Sequence, residues 1–356
     1  MTMVKNFLFI CFGLFFITPL YAKEKANYYP ADNSLLQYMG RIEWGTARQP
    51  TMWAAAAQLG FSFKGSDCKI IITDEELYGK YHNYLDIIVD GGYKRIKLTR
   101  KRDTIVVAAG LKNTTHSVVI SKSTEAGIGY IRFEGLICNK LVKSKALPKR
   151  KMESYGDSIT SAMGSDTSAA GCHKADWYDQ TNGYMSYAAI TARALNAQYH
   201  LTSVSGIGMI HSCCGMDVLM PQVYDKLSLR ENMLRWDFKK YQPDVVTICL
   251  GQNDGVQDSA AFCNAYIQFI KKLRGHYPAA GIVCLTSPMA DPTLKAALVK
   301  YLSAIVNNLH SNGDKNIYKF YFSKQSISGC DSHPSLSEQQ QIAGELTAFI
   351  KKLKNW

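Results

Sequence analysis

A chain of 356 residues, 47% of them hydrophobic and 20% charged, is long enough to bury two separate cores and too apolar to be disordered. Its 41 Lys and Arg against 29 Asp and Glu leave a formal net charge of +12, which raises the question of a nucleic-acid partner. The densest basic clusters, residues 94–102, 143–151 and 351–354, carry neither interleaved aromatic residues nor a known nucleic-acid motif; they read as solvated faces, and no nucleic acid is expected.

In chain order, Met1 to Ala22 combines a single Lys5, an apolar run from Phe7 through Phe16 and a Pro19-Leu20-Tyr21-Ala22 end suited to signal peptidase. It is expected to be cleaved on export to a bacterial periplasm or beyond, leaving no stable membrane span. Ile10 stands before Cys11 where a lipoprotein signal needs a small residue, so no lipid anchor is expected. Short β-rich runs then recur between turn signals: 59–63, 69–73, 84–89, 93–98, 104–108, 117–120 and 129–133. Asp90-Gly91-Gly92 between two of them is a hairpin signal. Seven such runs suggest a β-sandwich over residues 23–142. A basic, proline-containing linker follows at 143–150. From 151 to 356, apolar strands near 198–204, 245–250, 282–286 and 318–322 alternate with helical segments, the pattern of a parallel sheet flanked by helices. The last helix is announced by a Ser335-Leu336-Ser337-Glu338 capping box and by Ile342, Leu346, Phe349, Ile350 and Leu353 at helical spacing.

Four short elements stand in order along the second half: Tyr155-Gly156-Asp157-Ser158, Ser205-Gly206-Ile207-Gly208, Gly251-Gln252-Asn253-Asp254 and Asp331-Ser332-His333-Pro334. Their order resembles the SGNH (GDSL-type) hydrolases. Together with the preceding β-rich region and the Tyr38-Met39-Gly40-Arg41-Ile42 opening, the chain resembles the two-domain acetyl esterases of carbohydrate esterase family 2. The resemblance implies a flavodoxin-like α/β hydrolase domain preceded by an all-β jelly roll. It also implies Ser158 as nucleophile, His333 as base, and an oxyanion hole made by the N–H groups of Ser158 and Gly206 with the Asn253 side chain. The chemistry requires such a set: acyl transfer needs a hydroxyl, a group that takes its proton near neutral pH, and donors aimed at the oxygen that becomes negative. Gly206 is preferred to Gly208 because it completes the Ser-Gly pair. Thr160 occupies the place of the second glycine in a Gly-x-Ser-x-Gly elbow, which argues against the α/β-hydrolase fold. Asp157 is read as shaping the turn.

The family pattern keeps an acid three residues before the histidine, and here that residue is Cys330. Asp331 is the nearest carboxylate and is expected as the third member of the triad, with a backbone carbonyl as the alternative acceptor for the imidazole. Trp177 and Tyr178, in the insertion after Ser158, are the expected substrate-binding aromatics; Trp44 and Trp53 are read chiefly as sandwich core. Cys172-His173 and His211-Ser212-Cys213-Cys214 offer ligand types without a metal-site spacing, so neither metal nor cofactor is expected. With Cys11 removed, nine of the 10 cysteines remain, an odd number that leaves at least one thiol unpaired. A disulfide involving Cys172 or Cys330 is allowed, a Cys213–Cys214 bridge is not expected because of strain, and Cys249 and Cys284 read as buried apolar residues. The resemblance implies a secreted, cofactor-independent serine esterase that removes O-acetyl groups from an acetylated carbohydrate of the xylan or glucomannan type, through an acetyl-enzyme on Ser158. A peptidoglycan O-acetyl esterase, a general short-chain esterase or thioesterase, and a non-catalytic carbohydrate-binding protein are the alternatives.

Overall fold

Leu59, Phe61 and Phe63 are buried, and so are Cys68, Ile70 and Ile72: the inward face falls on odd positions before residue 64 and on even positions after 67. Side chains alternate along a strand, so that change of parity means the alternation is broken between the two halves, where the pairing with residues 138–140 also shifts register. The structure, a computed structural model described for residues 26–229 and 234–356, carries both predicted runs as one long strand across this irregularity. The expected export segment, residues 1–22, lies outside the described residues.

The first half of the chain forms β1 (Asn27–Pro30), β2 (Gln37–Met39), β3 (Ile42–Trp44), β4 (Pro50–Met52), β5 (Gln58–Asp74), β6 (Tyr84–Val89), β7 (Gly92–Lys97), β8 (Arg102–Ala108), β9 (Thr114–Lys122) and β10 (Ile131–Val142). All pair antiparallel, with the order β3-β4-β10-β5-β9-β6-β7. The first half of β5 pairs β9 and its second half pairs β8, while β10 runs along both. This double pairing carries the polar stretch 64–67 through as strand where the sequence alone suggested a turn. The β6–β7 hairpin closes at Val89↔Gly92, with Asp90 and Gly91 both at positive φ, 51° and 86°, the backbone that a two-residue hairpin turn with the native twist demands.

The second half contains β11 (Arg150–Gly156), α1 (Ser158–Ser161), α2 (Tyr187–Ala194), β12 (Ala197–Ser203), α3 (Met220–Val223), β13 (Val245–Cys249), α4 (Ser259–His276), β14 (Gly281–Leu285), α5 (Pro292–Ser311), β15 (Ile317–Phe320) and α6 (Leu336–Lys354). Its strands make a five-stranded parallel sheet in the order β12-β11-β13-β14-β15. Alternate residues serve opposite faces. Val246, Ile248, Ile282 and Cys284 pack with α4 and α5, and Val245, Cys249, Val283 and Leu285 pack with α2 and α6. Each such buried aliphatic side chain contributes about 1.5–3 kcal/mol over its exposed form. Ser335 caps α6 through the expected capping box, and Ile342, Leu346 and Ile350 are its buried stripe. The sheet order reverses direction around β11, and ligands in such sheets bind at the strand ends beside the reversal.

A buried ion pair joins the two halves. Arg41 and Glu153 are 1% and 0% exposed, with Nη2 and Oε1 2.8 Å apart. Arg41 also donates to the Tyr155 hydroxyl and the Tyr224 carbonyl; Glu153 accepts from Thr202 and Tyr277. Burial alone would raise the Glu153 carboxyl, but Arg41 and these donors hold it below its ordinary value. The basic cluster at 94–102 is a correction to the sequence reading. Arg95 donates to the carbonyls of Asp179 and Thr181, and Lys97 Nζ lies 2.8 Å from Asp179, so part of that cluster anchors the insertion after Ser158. Among the described residues no helix is long and apolar enough to cross a membrane.

Candidate active site

Three adjacent strands deliver the site. β11 ends at Gly156, and Asp157 accepts the N–H of Ile159 at 3.0 Å to cap the single turn α1, which leaves Ser158 as the first residue of that turn, 6% exposed. Residues after β12 carry Gly206 and residues after β13 carry Asn253. His333 arrives from the far end of the domain, in the loop that enters α6. Its Nε2 lies 2.8 Å from Ser158 Oγ, within reach for direct proton transfer.

The other ring nitrogen settles the tautomer. His333 Nδ1 is 3.0 Å from the main-chain carbonyl of Asp331, which can only accept; Nδ1 therefore carries the proton and Nε2 is the free base facing Ser158. The Asp331 carboxylate is turned away, with Oδ1 3.7 Å from Nδ1 of His173 at the surface. This replaces the expected carboxylate contact by the carbonyl alternative. Asp331 and Ser332 are both left-handed, φ 50° and 56°, a conformation that costs about 1–2 kcal/mol for each non-glycine residue and turns the carbonyl, not the side chain, onto the imidazole. Burial pulls His333 below the ordinary imidazole value; the Asp331 carbonyl and carboxylate oppose this in part.

Gly206 (φ 85°) lies against Cys213, whose Sγ would be 3.1 Å from any Cβ added there. Among the described residues no protein acceptor takes the N–H of Gly206 or of Ser158, whereas the N–H of Gly208 is bonded to Ser212 Oγ at 2.9 Å. That difference favours Gly206 as a donor over Gly208. The Asn253 amide nitrogen donates to the Ile207 carbonyl at 2.9 Å and, more weakly, to Asp157 at 3.3 Å. Ser158, Gly206, Asn253 and His333 line one cavity of about 650 Å³.

Several neighbours of this set are not signalled by any local pattern. Asp254 accepts the successive N–H groups of Met209, Ile210 and His211 at 2.7–3.0 Å, tying the Gly206 loop to the Asn253 loop; it stood inside a recognised element without a role. Glu125, from the β-rich half, lines the cavity and accepts the N–H and hydroxyl of Ser205 at 2.9 and 2.7 Å; burial raises its carboxyl. The Asp157 carboxyl is pushed up to about 7 by burial, the Ile159 N–H opposing and the charges of Asp254 and Glu125 adding to the rise.

Of the expected aromatics, Trp177 lines the cavity and is 38% exposed. Tyr178 is a correction: it is 1% exposed and packs with Tyr84 and Ile128, because the 3-10 turn Trp177–Gln180 that contains it buries Tyr178 against the β-rich half while leaving Trp177 at the cavity. Trp53 is buried with its Nε1 on Glu43, and Trp44 sits edge-on to Tyr38; neither belongs to the cavity wall. Cys172 pairs with Cys330. Cys213 pairs with its neighbour Cys214, against expectation, with Cys214 at φ 62°. Cys249 and Cys284 are buried thiols.

Residues 38–148 match the carbohydrate esterase 2 N-terminal family, and residues 154–314 match the GDSL-like lipase/acylhydrolase family. The cellulase/esterase CelE of Acetivibrio thermocellus is 33% identical over 91% of the chain, which spans 40% of that protein's length. An acetylxylan esterase/glucomannan deacetylase of Cellvibrio japonicus is 29% identical over 84% of the chain and 86% of its own. A family two carbohydrate esterase from Clostridium thermocellum, solved in complex with cellohexaose, superposes with a TM-score of 0.82 at 32% identity, covering 90% of this chain and 99% of that one.

Proposed function

The chain belongs to carbohydrate esterase family 2, and from that premise we propose that it removes O-acetyl groups from a polysaccharide of the xylan or glucomannan type through an acetyl-enzyme on Ser158. The observation that carries this reading is the 2.8 Å contact between Ser158 Oγ and a His333 Nε2 left unprotonated by the Asp331 carbonyl. In this mechanism Nε2 takes the serine proton as Oγ attacks the acetyl carbonyl. The negative oxygen is received by the N–H groups of Ser158 and Gly206, and by Asn253, which exchanges its longer contact with Asp157 for the oxyanion. Imidazolium returns the proton to the departing sugar hydroxyl, and water, deprotonated by the same nitrogen, releases acetate. No step calls on a metal or cofactor.

In this division residues 151–356 carry the chemistry and residues 23–142, joined by the 143–150 linker, add the cavity wall that includes Glu125. Trp177 stands at the opening, where an aromatic face suits a pyranose ring. The apolar run 7–16 supports export, which would bring the enzyme to polymeric substrate. The name of the Cellvibrio relative supports acetylated xylan and glucomannan as substrates. The test is acetate release from acetylated xylan, glucomannan and peptidoglycan in parallel, with Ser158→Ala as control. Release from the plant glycans that vanishes in the variant is the expected result. No release from any of the three, with 4-nitrophenyl acetate also untouched, overturns the reading; release from peptidoglycan alone transfers it to that polymer.

A further inference from the structure

Cys330 occupies the position three residues before the histidine where the family pattern keeps an acid, and it is joined to Cys172 across 158 residues of sequence. Both ends of that link lie in segments that build the site. Cys172 belongs to the chain that leaves the Ser158 turn and goes on to Trp177, and Cys330 opens the turn that carries His333. The His333 turn is docked on the same nucleophile segment by main-chain bonds, Cys330 N–H to the Gly164 carbonyl at 2.8 Å and Leu336 N–H to the Ser165 carbonyl at 3.2 Å. Gly164 (φ 72°) is approached so closely that an added Cβ would stand 2.5 Å from the Cys330 carbonyl oxygen and 2.9 Å from His333 Cβ.

Between these anchors lie Asp331 and Ser332, two successive left-handed residues that would relax if their flank were released. Relaxation would carry the Asp331 carbonyl off Nδ1, and with it the tautomer and aim of Nε2. We propose that the Cys172–Cys330 disulfide is a positioning link for the base, substituting a covalent tie to the nucleophile's own segment for the missing acid. Main-chain bonds hold Cys330 by its N–H; the disulfide holds it by its side chain, so the residue before Asp331 is pinned from two directions.

This inference rests on the esterase reading and makes turnover depend on the redox state of one bond. A dithiol such as dithiothreitol supplies two electrons and two protons: the S–S bond breaks, both cysteines become thiols, and the reagent closes to its cyclic disulfide. Cys172 is partly exposed, which gives the reagent a point of attack.

Two measurements test it. In Cys172→Ala/Cys330→Ala, kcat on 4-nitrophenyl acetate is expected to fall about tenfold or more with KM within about twofold, because a misplaced base slows chemistry without emptying the cavity. In the unaltered enzyme under graded dithiothreitol, kcat is expected to decline in step with the free-thiol fraction of Cys172 and Cys330, read peptide by peptide by mass spectrometry on separate aliquots alkylated only for that readout. It should return on treatment with oxidised glutathione, while the circular dichroism stays constant. This second measurement decides the matter if the double variant does not fold. A folded double variant with full kcat overturns the proposal, and so does a decline that follows Cys213 and Cys214 instead, or one that follows loss of structure. An enzyme with no esterase activity before reduction defeats the functional reading itself, whereas an active enzyme indifferent to reduction defeats only this inference.

Discussion

Ser158 and His333 meet at 2.8 Å, but the two differ in how much of their support comes from distant residues. Ser158 follows a buried strand and a capping aspartate within two residues, so its position is set by local hydrogen bonding and by the sheet beneath it. His333 follows two left-handed residues; besides the short-range bonds of its own turn, His333 N–H to the Cys330 carbonyl and Gly329 N–H to the His333 carbonyl, that turn is held by bonds to residues 164 and 165 and by a disulfide to residue 172. The proposed nucleophile can be encoded in a tripeptide. The proposed base, which must meet it from the other end of the domain, needs contacts distant in sequence as well.

The largest effect is expected where the two sides join. His333→Ala should lower kcat by at least about 10⁴-fold, in the range of Ser158→Ala, because members of one proton-transfer unit fail together; a His333→Ala enzyme within tenfold of wild type would break the comparison. Asn253→Ala should cost about 10²–10³ in kcat, as loss of one oxyanion donor does, read as a fall in kcat at nearly constant KM. Asp254→Ala leaves the N–H groups of Met209, Ile210 and His211 without their acceptor. It is expected to lower kcat by about 10–100-fold through the displaced Gly206 loop, short of direct removal of a donor, with a lower Tm as the accompanying sign.

The pH profile separates the two sides. The base works when neutral, so kcat/KM should be complete above the His333 pKa and fall as pH drops through it. Burial puts that pKa below 6.5, so the midpoint of the acid limb should lie below 6.5. A midpoint near 7 would instead report Asp157, whose carboxyl is pushed up to about 7, and should then disappear in Asp157→Asn. The smallest effect is expected at Asp331. Asp331→Asn keeps a residue tolerant of the left-handed conformation and removes only the outward carboxylate, so kcat should stay within about threefold of wild type. Amidation of a true triad carboxylate costs about 10⁴-fold, and a loss of that size would restore Asp331 as the acid.

Much of this arrangement was legible beforehand because its signals are short-range. The Gly156-Asp157-Ser158 turn, the Ser335 to Glu338 capping box and the continuous apolar run of β13, buried throughout, each depend on residues within one turn or one strand. The misreadings share a different cause. Whether Tyr178 faces a cavity or a neighbouring hairpin depends on where Tyr84 and Ile128 lie, some 50 to 94 residues away. The basic run at 94–102 read as solvent-facing until Asp179, Thr181 and the insertion that carries them were brought against it. Glu125 gave no signal at all, since a lone glutamate between strands is indistinguishable from a surface residue until Ser205 is placed beside it.

The amino-acid sequence by itself determined the elements and their chemistry: which strands are buried on both faces, which serine begins a helix after a strand, and which histidine precedes the last helix. Those are properties of hydrogen bonds and side-chain periods over a few residues. Only the tertiary structure decided which oxygen of Asp331 meets the imidazole, which cysteines join, and that a carboxylate of the β-rich half completes the cavity wall. Each of these turns on ångström-scale placement of groups 80 or more residues apart, or on a backbone conformation that is unfavourable in isolation and persists only because the surrounding packing and cross-links hold it.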